Sequence, residues 1–213
     1  MNSYQTLWWE QVRSDHGVLL MLRRQGAVVC HQLHYLQMVT EKLGKAYFWR
    51  TGKPPPKSHA SFVRFLQALD DRQEPVRTRI AEHLGFARAV DFEKWIPSIT
   101  PLAYDLERLA PSLAGDNGPN PEYPWPRLAP ASTPATYEFA VWSLLTESGR
   151  GRQLMKVIDA AVAAFPHYAS SISAATAYGQ IRQQLSVVRR SAVVFLDAKR
   201  RALAIASGTP HWQ

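Results

Sequence analysis

Apolar side chains recur at three- and four-residue intervals through most of the chain, which is the spacing of a helix that buries one face. The pattern predicts helices over 4–14, 17–50, 59–69, 73–86, 91–95, 101–113, 135–165 and 168–207. The sequence contains no strand-like alternation and no Asn-Gly turn between apolar runs. We therefore expect an all-α fold, an antiparallel bundle of about five to seven helices.

Glycine and proline residues set the expected helix ends. Gly26 is expected to bend the long second helix, and Gly85 to lie near the end of the fourth. Pro75 and Pro101 are expected in the first turns of their helices, where a missing N–H removes no hydrogen bond. Pro166 marks the expected break between the last two helices.

Residues 114–134 form the segment richest in proline. Their six prolines and two glycines exclude regular secondary structure. Tyr123, Trp125 and Leu128 are large apolar side chains within it. We therefore expect an ordered loop that these side chains pin to the body of the protein.

Length and composition favour a single soluble helical body. The chain has 213 residues, of which 46% are hydrophobic, enough for a substantial core. We expect one bundle over 1–135, which includes the Pro-rich loop, and two long helices over 136–213 packed on the same domain. Cys30 is the sole cysteine and lies in an apolar stretch, which excludes an internal disulfide and indicates a buried thiol. Because the sequence shows neither a membrane-length apolar run nor a signal-peptide layout, we expect no membrane contact and a cytoplasmic location.

The chain is strongly basic. Its formal net charge is +8 and its pI is about 9.8, which favours anionic partners such as RNA or nucleotides. The basic residues concentrate in two groups, Lys42, Lys45, Arg50, Lys53 and Lys57, and Arg182, Arg189, Arg190, Lys199, Arg200 and Arg201.

The stretch from 37 to 59 carries the most specific pattern. Its polar and helix-breaking residues are Gln37, Glu41, Lys42, Lys45, Gly52, the prolines at 54–56, Ser58 and His59. The four-residue spacing of Gln37, Glu41 and Lys45 places them on one face of a helix. The glycine and prolines end that helix, and Ser58 is a suitable N-cap for the next one.

This arrangement resembles the HEPN superfamily, small helical domains found with minimal nucleotidyltransferases in prokaryotes. One branch carries a Gln, a Glu-Lys pair and a Lys three residues later, followed by a Gly, prolines and a Thr-His or Ser-His pair. The resemblance covers roughly residues 20–130. It implies a bacterial conflict module, of the toxin–antitoxin or anti-phage kind, in which the protein binds RNA, a nucleotide or a nucleotidyltransferase partner and forms a homodimer.

The binding residues that the resemblance indicates are Lys42, Lys45, Lys57 and His59. His59 would lie at a helix N-terminus, where an anion is attracted. The same residues also have structural interpretations. Glu41 and Lys45 would then belong to a polar network inside the bundle, and His59 would cap or pack the third helix against the second.

A metal-independent endoribonuclease is the first alternative. Ribonucleases of the superfamily use an Arg and a His with four to six residues between them on one helix, where the His moves a proton and the Arg stabilises phosphorane charge. Arg77 and His83 have this spacing and are the candidate catalytic pair, and Arg24 and His31 have it as well. Neither arginine is followed by the Asn or Asp that is usual in the nucleases. Arg77 and His83 could equally be surface residues of a solvated helix.

A purely structural interaction protein is the second alternative. Tyr123, Trp125 and the helix at 137–145 would then form the partner-binding or oligomer surface. The late Arg-Tyr-Pro element of the HEPN branch corresponds here to a tripeptide that begins with Glu122, so a glutamate stands where the branch has arginine. This replacement argues against nuclease activity.

No cofactor and no metal are expected from the sequence. It contains no phosphate-cradling glycine loop, no Ser-His-Asp arrangement and no Rossmann turn. His31, His34 and Glu41 lack the spacing of a metal site. The consecutive aromatic residues 47–49 could stack nucleobases, but three neighbours cannot share one helical face, so at least one belongs to the core.

Overall fold

The computed structural model of the protein describes residues 1–55, 61–70, 74–114, 118–125 and 133–167. They form α1 (Ser3–Arg24), α2 (Val29–Phe48), α3 (Ser61–Asp70), α4 (Val76–His83), α5 (Ala89–Glu107), α6 (Pro111–Ala114), α7 (Ala140–Glu147) and α8 (149–167). A 3₁₀ turn, Trp49–Thr51, follows α2 directly. Because the regular structure in these ranges consists of helices and contains no strand, the all-α prediction is confirmed.

An antiparallel pair of long helices, α1 and α2, forms the centre of the bundle. The side-chain amide of Asn2, the N-cap of α1, donates from Nδ2 to the carbonyl of Trp49 beyond the end of α2, at 2.8 Å. α3 packs on α2 and α5, and α5 also contacts α4 and α7. All of these elements lie in one compact unit, Met1–Ser171. Within the described ranges, no helix has both the length and the apolar character to cross a membrane.

The boundary between the first two helices differs from the prediction of helices over 4–14 and 17–50. α1 runs without interruption through Gly17 because Val12 and Leu19, two turns apart on one face, are fully buried and hold the helix against the core. The break comes at Gly26, whose φ of 62° is in the left-handed region that glycine adopts without strain. Gly26 therefore separates two helices instead of bending one. Cys30, just after this turn, is buried as predicted.

The predicted helices over 59–69 and 73–86 correspond to α3 and α4. Residues 56–60 and 71–73, which include the predicted starts of both helices, lie outside the described ranges. Pro75 is the N-cap of α4 and so precedes the first turn in which it was expected. α4 ends just before Gly85, as predicted.

One helix, α5, covers the helix predicted over 91–95 and the first part of the helix predicted over 101–113, whose last residues lie in α6. Pro97 and Pro101 both lie inside α5, although an internal proline removes a helical hydrogen bond and costs about 3 kcal/mol. The apolar face of α5 continues through both prolines, with buried residues Phe92, Trp95, Ile96, Ile99, Ala103 and Leu106. Burial of this continuous face offsets the proline penalty, which is why the prediction of a helix start at Pro101 was wrong.

The helix predicted over 135–165 is divided into α7 and α8. Ser148 interrupts it, and its Oγ accepts the N–H of Gly151 at 2.9 Å, as an N-cap does. Pro166 lies within α8. The predicted helix over 168–207 lies outside the described residues.

Candidate functional site

The polar stripe predicted on α2 forms a chain of hydrogen bonds. Gln37 Nε2 donates to Glu41 Oε2 at 2.9 Å, and the ammonium of Lys45 donates to Glu41 Oε1. The side chain of Lys45 also lies 5.5 Å from the ring centre of Trp8 on α1, a cation–π distance. The stripe is therefore a polar network in the bundle, in which the side chains of Lys45 and Glu41 are 18% and 13% exposed.

Lys42, on the same helix, is bound by a carboxylate of α1. Its Nζ donates to Asp15 Oδ2 at 2.5 Å, and Gln11 Nε2 donates to the other oxygen of Asp15 at 3.0 Å. The side chains of Lys42 and Asp15 are only 17% and 8% exposed. Lys42, predicted as a binding residue, therefore serves in this structure to join α1 to α2. The other two predicted binding residues, Lys57 and His59, lie outside the described ranges.

A second carboxylate, Glu107, supports the start of α3. Its Oε1 accepts the backbone N–H groups of Phe62 at 2.7 Å and Val63 at 3.0 Å, which are donors that a helix start leaves without a partner. Burial raises the pKa of Glu107 above its ordinary value of 4.5, against the two backbone hydrogen bonds, which lower it. Glu41 raises this pKa further by charge repulsion, so Glu107 is electrostatically linked to the stripe on α2.

α2 and α3 approach closely at Gly44. A Cβ built at this position would lie 2.5 Å from the carbonyl oxygen of Ser61, a distance that real Cβ atoms do not show. The hydroxyl of Ser61 in turn donates to the carbonyl of Glu41 at 2.7 Å. Gly44 therefore lets the start of α3 sit directly on the polar part of α2.

Aromatic and basic side chains share the end of the bundle where α1 begins and α2 ends. Tyr4 stacks on Trp49 with ring centres 4.4 Å apart and planes 13° apart, and Tyr4 is 53% exposed. Arg50 lies 4.2 Å from the ring centre of the fully buried Tyr47, which confirms that one of the three consecutive aromatics is core. We call this surface the aromatic–basic face and define it by Tyr4, Trp8, Lys45, Trp49 and Arg50.

The predicted catalytic pair occupies α4 without forming a joint site. Six positions along an α-helix rotate a side chain by about 120° relative to its starting direction, so Arg77 and His83 point to different faces. Arg77 pairs with Glu74 at 3.1 Å and with Glu93 at 3.6 Å. His83 is exposed and stacks against His167 of α8, with ring centres 5.6 Å apart.

Neither the second Arg/His pair nor the candidate metal ligands come together to form a site. Arg24 and His31 are exposed on either side of the turn between α1 and α2. His34 Nδ1 lies 3.3 Å from a carboxylate oxygen of Glu122, the residue that stands where the HEPN branch has arginine. Across the described part of the chain, no three His, Cys, Asp or Glu side chains come together to hold a metal ion.

The two predicted partner-binding residues have opposite environments. Asn120 Oδ1 accepts the N–H groups of Glu122 and Tyr123 at 3.0 and 2.8 Å, which gives the loop a defined turn. Tyr123 is 60% exposed, so it does not pin the loop. Trp125 is buried against Tyr137 and Phe139 and is the anchor that was expected. Leu128, the third predicted anchor, lies outside the described residues.

A His–Asp pair between α1 and α8 was not found from the sequence. His16 Nε2 donates to Asp159 Oδ1 at 2.7 Å, since a carboxylate can only accept. The two residues are 143 positions apart in the chain, so no local spacing connects them. The sequence shows only that Arg13 and His16 lie one turn apart on one helix.

No known protein family, no curated protein and no solved structure matches the chain.

Proposed function

We propose that the protein is an RNA-binding module of a bacterial conflict system, as the resemblance to the HEPN superfamily suggests, and that it binds through the aromatic–basic face. The observation that carries the proposal is the stack of the exposed Tyr4 on the half-buried Trp49, at the same end of the bundle as the cations Lys45 and Arg50. Single-stranded RNA is bound by aromatic rings that stack on bases, next to cations that attract phosphates. The net charge of +8 supports the same class of ligand.

Glu41 regulates this face electrostatically. It pairs with Lys45 and thereby neutralises a cation that a phosphate would otherwise meet. A phosphate must compete with Glu41, so the pair limits affinity. Lys42 contributes indirectly, because its bond to Asp15 fixes α1 and α2 at the distance that places Trp8 against Lys45. The proposal keeps Lys57 and His59 as additional phosphate contacts, on the strength of the motif alone.

RNA is favoured over a nucleotidyltransferase partner because the face combines stacking rings with cations. The core of a protein interface is depleted in lysine, whereas Lys45 belongs to this face. The ribonuclease alternative gains no support from the geometry of Arg77 and His83. The purely structural alternative predicts no affinity for nucleic acid at low salt.

The test is the binding of a labelled single-stranded RNA, measured by fluorescence anisotropy over a series of salt concentrations. Tyr4→Ala should weaken binding by roughly tenfold, because the loss of one stacked base costs about 1–3 kcal/mol. Tyr104→Ala is the matched control, since Tyr104 lies on α5 and is similarly exposed at 46%. Lys45→Met should lower the slope of log affinity against log salt by about 0.7, the value of one phosphate contact on a single strand.

Lys94→Met removes the same charge from the exposed surface of α5 and controls for net charge. The proposal is wrong if the wild-type protein has no RNA affinity at low salt, or if the control variants weaken binding as much as Tyr4→Ala and Lys45→Met. A protein that captures a nucleotidyltransferase but not RNA would replace the RNA proposal with the partner alternative.

A further inference from the structure

A cavity of about 520 Å³ lies between α1 and α8. Its volume is within the range of about 300–1,000 Å³ that small-molecule sites occupy. Both helices contribute to its lining, with Trp9, Arg13 and Gly17 from α1 and Asp159, Val162 and Pro166 from α8. We propose that the cavity binds a small apolar zwitterion, a free amino acid or a dipeptide. Its carboxylate would bind Arg13, its ammonium would bind Asp159, and its side chain would lie against the apolar lining.

Arg13, the cation of the site, is positioned by Trp9. The indole Nε1–H of Trp9 donates to the carbonyl of Val162 at 3.1 Å. Pro166 leaves that carbonyl available, because proline has no N–H to donate from four residues further along α8. The guanidinium carbon of Arg13 lies 5.0 Å from the ring centre of this fixed indole, a cation–π distance.

The guanidinium of Arg13 retains hydrogen-bond donors for a ligand. It has five N–H donors in a planar fork that matches a carboxylate, and contact with one ring does not use all of them. Among the described residues, no carboxylate forms an ion pair with Arg13. A ligand carboxylate would therefore meet a positioned cation that no acidic group of the described chain has neutralised.

Asp159 supplies the opposite charge. Its Oδ1 accepts the Nε2–H of His16 at 2.7 Å, a bond that a neutral imidazole can make. In the described part of the chain its other oxygen accepts no hydrogen bond, and the side chain is 41% exposed. A carboxylate has about four lone-pair sites, so Asp159 can accept an ammonium N–H while it keeps the bond to His16.

The two opposite charges line one cavity without neutralising each other. Within the described ranges, Arg13 and Asp159 form no ion pair with one another. An anion without an ammonium group would be repelled by Asp159, and a cation without a carboxylate would be repelled by Arg13. A zwitterion satisfies both groups, which is why the charges of the site favour this class of ligand.

Apolar lining and open space accommodate the side chain of the ligand. Val162, Ala163 and Pro166 supply the apolar lining on α8. A Cβ built at Gly17 would meet no atom within 4 Å, so the cavity reaches the backbone of α1 there. An aliphatic side chain that fills this space leaves water for an apolar surface, which adds a hydrophobic contribution to the affinity.

The test is isothermal titration of the full chain with L-leucine and with L-leucyl-L-leucine. Two analogues of leucine each lack one charge: isocaproate has no ammonium, and isoamylamine has no carboxylate. Leucine or the dipeptide should bind at least about tenfold more tightly than either analogue, because each charge-assisted hydrogen bond adds to the affinity. The tighter of the two zwitterions identifies the source as a free amino acid or a peptide. Tryptophan fluorescence is the second readout, since Trp9 lines the cavity.

Two charge variants assign the roles. Arg13→Gln should weaken leucine binding roughly tenfold to a hundredfold without weakening isoamylamine. Asp159→Asn keeps an acceptor for His16 and should weaken leucine roughly tenfold without weakening isocaproate. Arg79→Gln, on the exposed surface of α4, and Asp105→Asn, 46% exposed on α5, are the matched controls. A general loss of structure would not produce such opposite selectivity.

Gly17→Leu should abolish binding by filling the cavity while keeping the helix, since leucine is a good helix former. Lys45→Met, on another helix, should leave leucine binding unchanged, so this site can be tested whether or not the aromatic–basic face binds RNA. The proposal is overturned if neither leucine nor the dipeptide binds the wild type, or if an analogue with one charge binds as tightly. Arg13→Gln and Asp159→Asn proteins that bind all ligands as the wild type does would overturn it as well.

Discussion

The pair of Asp15 and Lys42 should show strong energetic coupling because both charges are largely removed from water. Lys42→Met would leave the carboxylate of Asp15, 8% exposed, with Gln11 as its remaining donor. Loss of one partner of a buried pair costs about 3–5 kcal/mol, and the bond from Gln11 places the expected loss near 3 kcal/mol. Asp15→Leu should cost less, about 1–2 kcal/mol, because the long side chain of Lys42 can extend its ammonium toward solvent.

The double variant should be close to the wild type. An apolar pair of similar volume removes both desolvation penalties along with the Coulombic attraction, so its free energy of unfolding should lie within about 1 kcal/mol of the wild-type value. The coupling energy of the cycle is then about 4 kcal/mol. Urea unfolding measures it, provided that the dependence on urea is the same in all four proteins.

Arg88 and Asp91 supply the matched control for this cycle. Their ion pair has a similar distance, 2.6 Å, but the side chains are 70% and 38% exposed. The corresponding cycle should show no measurable coupling, since water screens an exposed pair. Additive losses in the Asp15–Lys42 cycle, or equal coupling in both cycles, would refute the argument that burial makes this pair important.

Two further variants test the surroundings of the α2 stripe. Gly44→Ala should destabilise the protein by about 2 kcal/mol, because its Cβ would lie 2.5 Å from the carbonyl oxygen of Ser61. Gly17→Ala, where a Cβ meets no atom within 4 Å, should be neutral or stabilising. Thermal unfolding of both variants measures the two changes in stability, and equal changes would contradict the prediction. Because the pKa of Glu107 is raised in the folded protein, its contribution to stability is present below pH 4.5 and is lost as the pH rises through the raised pKa. The free energy of unfolding of the wild type relative to Glu107→Gln should therefore fall from acid to neutral pH, and a constant or rising difference in urea unfolding would show that the group is not shifted upward.

Periodicity was sufficient to predict the fold class, because each long helix buries one continuous apolar face. Periodicity failed at the ends of helices, where local sequence preferences compete with tertiary packing. Pro101 is a strong local signal for a helix start, yet burial of the α5 face on both sides of it keeps the helix intact. Ser148 is a weak local signal, yet its hydroxyl caps α8. The outcome at such residues depends on packing that a single sequence does not display.

The contacts of the candidate sites show the same difference between what local sequence predicts and what the fold decides. The bonds of Glu41 to Gln37 and Lys45 follow from four-residue spacing and were predictable as a network. The contacts of Glu107 with α3, and of His16 with Asp159, join residues far apart in the chain and needed the three-dimensional arrangement. Sequence reasoning therefore found the polar groups that share one helix and missed those that two helices bring together.

The most direct test of the account compares the RNA affinities of Glu41→Gln and Lys45→Met, measured by fluorescence anisotropy at low salt. If the aromatic–basic face binds RNA, Glu41→Gln should strengthen binding, because it releases the ammonium of Lys45 for phosphate, and Lys45→Met should weaken it. Changes in the same direction, or no change in either variant, would contradict the account.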